Sequence, residues 1–347
     1  MYNTNNILLT WYDANKRILP WRDYNEPYNI WLSEVMLQQT QVKTVVPYYT
    51  KWIKKFPTLK SVAESDLNSL LKLWEGLGYY SRCRNFHKAT QIVVEKYKSV
   101  VPNDYKLFRQ LPGVGDYIAS AVLSIAYNKK YPAVDANLKR VISRYLGIKK
   151  LTRRNTLRIH NQLNKMLTNG RPGDINQALM DVGSLICKPN DVICIKCPLI
   201  NKCKGYSYGN PIMYPDKNKR KPIPTKEYVA VFILYNDHIF INQRSEDGLL
   251  GGLWELPMIE VFENSNKIKA LKTYAKNKLG LSIDILNCFD KVKHSYSHYK
   301  LLVTPFACEV SNIESKIGHW IRVGEIDKYA FSKVNHKLFN AIGIKNY

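Results

Sequence analysis

Leu111-Pro112-Gly113-Val114-Gly115-Asp116-Tyr117-Ile118-Ala119-Ser120-Ala121-Val122-Leu123 sets a proline and two glycines directly ahead of an apolar helical run. Glycine permits a tight turn and a close backbone approach that a side chain would block. The amides at the start of the following helix then point outward, which suits a phosphate. Two readings stay open here. One is an ordinary glycine-rich turn between helices. The other is a helix-hairpin-helix turn that grips the DNA backbone through Gly113 and Gly115 without reading sequence.

Around this turn the pattern stays helical from about residue 5 to 200. Apolar residues recur at spacings of three and four over 30–46 (Ile30, Trp31, Val35, Leu37, Val42, Val46), 119–127 and 138–146. Pro47, Pro57, Pro102, Pro112, Pro132 and Pro172 are expected at helix boundaries. Gly209, Pro211, Pro215, Pro222 and Pro224 among lysines mark a semi-extended linker over 206–226. Beyond it come strand-like runs at 228–234 and 238–241 around Asn236-Asp237, then a helical piece at 268–279. The chain thus reads as multidomain, with an all-α domain followed by a smaller α+β domain.

The bulk numbers agree with two domains: 347 residues, at roughly 150 per domain. No apolar run is long enough for a membrane span, and the first residues lack a secretory pattern. Lys and Arg number 52 against 28 Asp and Glu, a formal charge of +24. That suits a polyanion whose counterions are displaced. A membrane surface, or compositional bias in a chain rich in Lys, Asn, Ile and Tyr, would give the same excess.

Seven cysteines, an odd count without a signal sequence, point to reduced thiols and a metal site rather than disulfides. Cys83, Cys288 and Cys308 are scattered, whereas Cys187-x6-Cys194-x2-Cys197-x5-Cys203 forms one short loop. Four thiolates can hold zinc or an iron–sulfur cluster. Zinc sites usually pair two Cys-x2-Cys knuckles and only one is present, yet both metals stay open, as does a purely structural staple. Lys188, Lys196, Lys202 and Lys204 crowd the loop, where they could offset thiolate charge and face phosphate.

Two carboxylates stand out. Glu34 sits among Trp31, Val35, Met36 and Leu37. Turned inward it would be desolvated, raising its pKa into the range of a general acid near neutral pH; turned outward it is a solvated surface group. Asp135 precedes the helical run at 138–146, as an N-cap does. A capping aspartate stays ionised, which also suits an oxocarbenium-like transition state. One acid and one anion divide the labour of sugar-bond hydrolysis.

Leu32-Ser33-Glu34-Val35-Met36-Leu37-Gln38-Gln39-Thr40-Gln41, Gly76-Leu77-Gly78-Tyr79-Tyr80, the Leu111–Gly115 turn and the cysteine loop, in that order, resemble the MutY-type adenine DNA glycosylases of the helix-hairpin-helix superfamily. The likeness covers nearly the whole chain. It implies an all-α glycosylase domain over 1–205 with an iron–sulfur loop, the linker, and an α+β Nudix-like domain over 227–347. Within the first, a six-helix module spans about 25–130, and an iron–sulfur module comprises 1–24 plus 131–205. The implied activity is monofunctional hydrolysis of adenine's N-glycosidic bond opposite 8-oxoguanine or guanine in duplex DNA, during base excision repair. The implied setting is a monomer in the bacterial cytoplasm, at the nucleoid and not at a membrane.

The resemblance also assigns roles. Glu34 would protonate N7 of the flipped adenine, and Asp135 would stabilise the sugar cation, with a transient adduct as one route. Tyr117 would hydrogen-bond near Asp135, and Asn137 would support it. Arg22 and Gln177 would line the adenine pocket, since a Gln amide matches adenine's donor and acceptor edge. Gln38 and Tyr79 would wedge into the duplex as the base flips; for Tyr79 and Tyr80 plain aromatic core is the alternative. Cys187, Cys194, Cys197 and Cys203 would ligate a [4Fe-4S] cluster.

Departures are visible. Asp135-Ala136-Asn137 replaces the family's Asp-Gly-Asn, so Ala136 would be strained if that backbone takes positive φ. Ile118 stands for Thr, and Asp116 puts a negative charge beside the presumed phosphate site. Endonuclease III-like relatives carry Lys where Tyr117 stands. Tyrosine forms no Schiff base, so base removal without efficient strand cleavage is expected.

In the second domain 248–257 looks like the opening of a Nudix fold, but 270–280 is basic where Nudix hydrolases need metal-binding glutamates. Pyrophosphate hydrolysis is therefore not expected. His294-Ser295-Tyr296-Ser297-His298 matches the family's Phe-Ser-His lesion loop, with Tyr296 as the aromatic and Ser297 and His298 as hydrogen-bonding groups. Read without the resemblance, it is a surface turn. The competing functions are a bifunctional glycosylase/lyase for oxidised pyrimidines and a non-catalytic iron–sulfur DNA-binding protein.

Overall fold

The computed structural model describes residues 4–23, 25–168, 170–216, 222–262, 265–311 and 318–344. Residues 217–221 of the expected linker lie outside these. The chain divides into two compact units, 1–64 with 85–219 and 65–84 with 220–347. None of the described helices is long and apolar enough to cross a membrane.

The first unit is helical. The periodic run at 30–46 is two helices, Pro27–Leu37 and Val42–Lys55. Gln38-Gln39-Thr40-Gln41 offers nothing apolar to bury, and Gln39 takes φ +56°, so the chain turns there. Pro47, expected at a boundary, lies inside Val42–Lys55. That helix buries Val45, Tyr49 and Trp52 on one face, and this burial outweighs one missing backbone bond. Pro172 does open a helix, Pro172–Asp181.

Edge-to-face aromatic pairs make one core: Trp31 lies 4.9 Å from Phe86 and 5.2 Å from Phe108. A second core joins Leu8 and Tyr12 near the N-terminus to Leu138, Ile142, Ile159, Leu163 and Leu179. Gly113 has φ +75°, and a Cβ there would come within 2.8 Å of Asn85 Cβ. Both facts require glycine in the turn. Gly115 then N-caps the helix Asp116–Tyr127.

The second unit is built on a mixed sheet. Thr225–Tyr235 pairs in parallel with Lys300–Glu309, and antiparallel with His238–Gln243 and Met258–Val261. Both of its faces are covered. Ala230 and Phe232 pack with Val334, Leu338 and Phe339 on one side. Val229, Val231 and Ile233 pack with Leu271, Ala275 and Leu279 on the other. Burial on two faces is why 228–234 reads as an unbroken apolar run. The short helix Leu67–Trp74, capped by Asp66, also belongs to this unit and buries Leu70, Leu71 and Trp74.

Candidate active site

Glu34 is turned inward and 4% exposed. Burial pushes its carboxyl up to about 7. The Tyr117 hydroxyl, which donates to Glu34 Oε2, opposes this rise; the Asp135 charge adds to it, and Arg22 opposes it. The phenol expected beside Asp135 thus bonds directly to Glu34. Glu34, Arg22 and Gln177 line one cavity, together with Trp21 and Ser33.

Asp135 is the N-cap of the helix Ala136–Leu146; its Oδ1 accepts from Leu138 N at 2.6 Å. Asn137 Nδ2 donates to Oδ2 at 2.8 Å, and Asn137 in turn accepts from Arg140 at 2.9 Å. Burial still raises the Asp135 carboxyl above its usual range, against those hydrogen bonds. Asp135 does not line the cavity with Glu34, but its charge acts on both Glu34 and Tyr117. Ala136 opens the helix with its methyl group exposed. No left-handed backbone is demanded there, which removes the strain expected from its replacing glycine.

Sequence reasoning missed Asp181 and Arg17. Asp181 is fully buried and accepts from Arg17 Nε at 2.7 Å and from Arg22 Nη1 and Nη2 at 2.7 and 3.1 Å. This pairing fixes the Arg22 guanidinium, whose buried Nε has no partner among the described residues. The available signal was an acid set between Met180 and Val182, the context that drew attention to Glu34.

Gln38 closes the helix Pro27–Leu37 and is half-buried. Asp116 is held below the usual carboxylate range by Arg109, 2.7 Å away, so its charge is paired rather than free to repel phosphate. Ile118 is buried in the core. The four clustered cysteines line one cavity with Ile186, Val192 and Ile200. Arg144 donates to Cys187 Sγ at 3.2 Å, and backbone amides of Leu199, Gly205 and Tyr206 bond to Cys197 and Cys203.

In the second unit Tyr79 is 44% exposed with φ +50°, whereas Tyr80 is buried and accepts from Gly76 N at 3.1 Å. Tyr296 N donates to Tyr299 O at 2.9 Å, closing a turn that leaves Ser297 and His298 exposed. Tyr296 is half-buried against His294 and Tyr299, its ring centroid 4.6 and 5.1 Å from theirs. Tyr79, Tyr296, Ser297 and His298 line one cavity with Leu249 and Lys333.

Residues 32–165 match the HhH-GPD superfamily of base excision DNA repair proteins, and residues 228–341 match the NUDIX domain. A thermostable thymine-DNA glycosylase of known structure superposes with a TM-score of 0.54 at 29% identity, over 59% of this chain and 95% of that one. The human adenine DNA glycosylase is 34% identical over 354 residues, 85% of this chain and 64% of the human one. The adenine DNA glycosylase of Buchnera aphidicola subsp. Baizongia pistaciae is 38% identical over 314 residues, 88% of this chain and 86% of its own length. Likeness of that degree, running through both domains, means that the chain belongs to the adenine DNA glycosylase family.

Proposed function

We propose that the protein is a monofunctional glycosylase that removes adenine mispaired with 8-oxoguanine or guanine from duplex DNA. The observation that carries this is Glu34: a buried carboxyl pushed up to about 7, in a cavity it shares with Arg22 and Gln177. Near neutral pH such a group holds a proton to give. Delivered to adenine N7, that proton lets the C1′–N9 bond break with its electron pair leaving on a neutral base. Gln177 offers adenine a donor and an acceptor, and Arg22 Nε offers a donor that no described residue uses. Asp135, set by the amide of Leu138 and by Asn137, supplies the negative charge that the sugar cation requires while water adds at C1′ and gives up a proton to the carboxylate that Glu34 has become.

Tyr117 has no amine with which to trap that sugar, so the strand should survive until alkali is added. We assign the base opposite adenine to the cavity bounded by Tyr79, Ser297 and His298, which combines an exposed ring with hydrogen-bonding side chains. Duplexes carrying A:8-oxoguanine, A:G or an oxidised pyrimidine, run on gels with and without alkali, test the assignment. Adenine release with alkali-dependent cleavage is expected. Cleavage without alkali, or activity on oxidised pyrimidines alone, would favour the bifunctional reading.

We also propose that Cys187, Cys194, Cys197 and Cys203 hold a [4Fe-4S] cluster. Structural zinc sites usually pair two Cys-x2-Cys knuckles, and this loop has only one. The amide and guanidinium bonds to sulfur suit thiolates. When bound, the cluster supplies a cross-link for the loop and its redox chemistry. About four irons per chain, with matching sulfide, are expected on analysis of purified protein; Cys197→Ser should lose them and unfold at lower temperature. Stoichiometric zinc without sulfide would contradict the assignment.

A further inference from the structure

Tyr79 stands in a turn that is stiff in itself. Trp74 Nε1 donates to Gly78 O at 3.1 Å, and Arg82 donates to the same oxygen at 2.8 Å while covering both the Trp74 and Tyr79 rings. What such a turn faces is therefore set by whatever holds the residues just before it. Glu75 is that point. Its Oε1 accepts from Phe331 N at 2.7 Å and faces His336 Nε2 at 2.8 Å; its Oε2 pairs with Lys72 at 2.8 Å. Lys72 also donates to Tyr329 O at 2.9 Å. One carboxylate of 15% side-chain exposure thus ties the end of Leu67–Trp74 to the segment 329–336. Ser332 and Lys333 of that segment line the cavity that Tyr79 shares with Ser297 and His298.

We infer that Glu75 is a positioning residue for lesion discrimination: it fixes the tyrosine turn against the 294–298 loop, so that both walls of one cavity keep the spacing a paired base needs. This rests on the proposal that the cavity reads the base opposite adenine. The residue touches no reacting atom, and Glu34 with its cavity, like Asp135, belongs to the other unit. Its loss should therefore alter preference rather than chemistry. Bonds to a charged acceptor are the stronger kind, so one substitution removes several constraints together.

The test is single-turnover excision from A:8-oxoguanine and A:G duplexes by full-length protein, with Glu75→Ala, Glu75→Gln and His336→Ala. Glu75→Ala should lower the 8-oxoguanine preference by about tenfold, with the A:G rate held within about twofold, as expected for a residue that modulates coupling. Glu75→Gln, which can still accept from Phe331 N, and His336→Ala should fall between. In a Tyr79→Ala background Glu75→Ala should add little, because both changes act through one turn. The A:G rate also reports folding. If preference is unchanged in all three variants, or both rates fall together, the positioning role is overturned. If the unsubstituted protein shows no preference for 8-oxoguanine, the reading of the cavity fails first and this inference with it.

Discussion

Glu34→Gln is expected to stop adenine excision while leaving the protein folded and bound to DNA. The amide fills the space of the carboxyl, and its oxygen can still accept from Tyr117. It has no proton to give. Loss of a general acid costs about 10²–10⁴-fold, and single-turnover excision with a parallel binding titration would measure it. Stability should move the other way. The folded Glu34 lies at about 7, above its ordinary 4.5. Folding therefore takes up a proton, and the protonated group's contribution is lost as pH rises from the ordinary value through about 7. Above that pH the buried anion costs about 3 kcal/mol, at 1.36 kcal/mol per pH unit. The glutamine variant should thus melt higher than the parent at about pH 8 and lose that advantage near pH 5. Excision retained at the parent's rate would refute the role of Glu34.

Asp135→Asn is the second large effect. Asparagine caps helices about as well as aspartate, so the Leu138 amide keeps an acceptor and the helix Ala136–Leu146 keeps its start. The hydrogen bond from Asn137 is lost, because two amide nitrogens would then face one another. Removing the negative charge should slow excision by about 10²–10³-fold, the scale seen when one electrostatic contact to a transition state is removed. Melting temperature should change little. The Asp135 charge raises Glu34, so residual activity should be lost at lower pH than in the parent. Undiminished excision would contradict the assignment of Asp135.

Much of this was legible in the residues. Gly113 marks the turn because only glycine meets both its backbone angle and its closeness to Asn85, whereas Gly115 is extended with open space around it. The apolar run at 228–234 marks a strand buried on both faces. Asp135 announces its cap by standing before a helical run. Pro47 and the break at 38–41 were less legible, since periodicity passes through both and only packing decides where a helix stops. Asp181 was missed because a buried ion pair is defined by partners far along the chain, Arg17 and Arg22 in this case. The grouping of 65–84 with the C-terminal half was illegible for the same reason, its bonds from Glu75 and Arg84 reaching to Phe331 and Gly251.

The dependence of excision on the protonation of Glu34 is tested most directly by the pH profile of single-turnover adenine release from A:8-oxoguanine, for the parent and Tyr117→Phe. The parent rate should fall as pH rises through about 7. Tyr117→Phe removes a donor that favours the anion, so its fall should come at higher pH. A rate that stays level well into the alkaline range, with no displacement between the two proteins, would contradict the account.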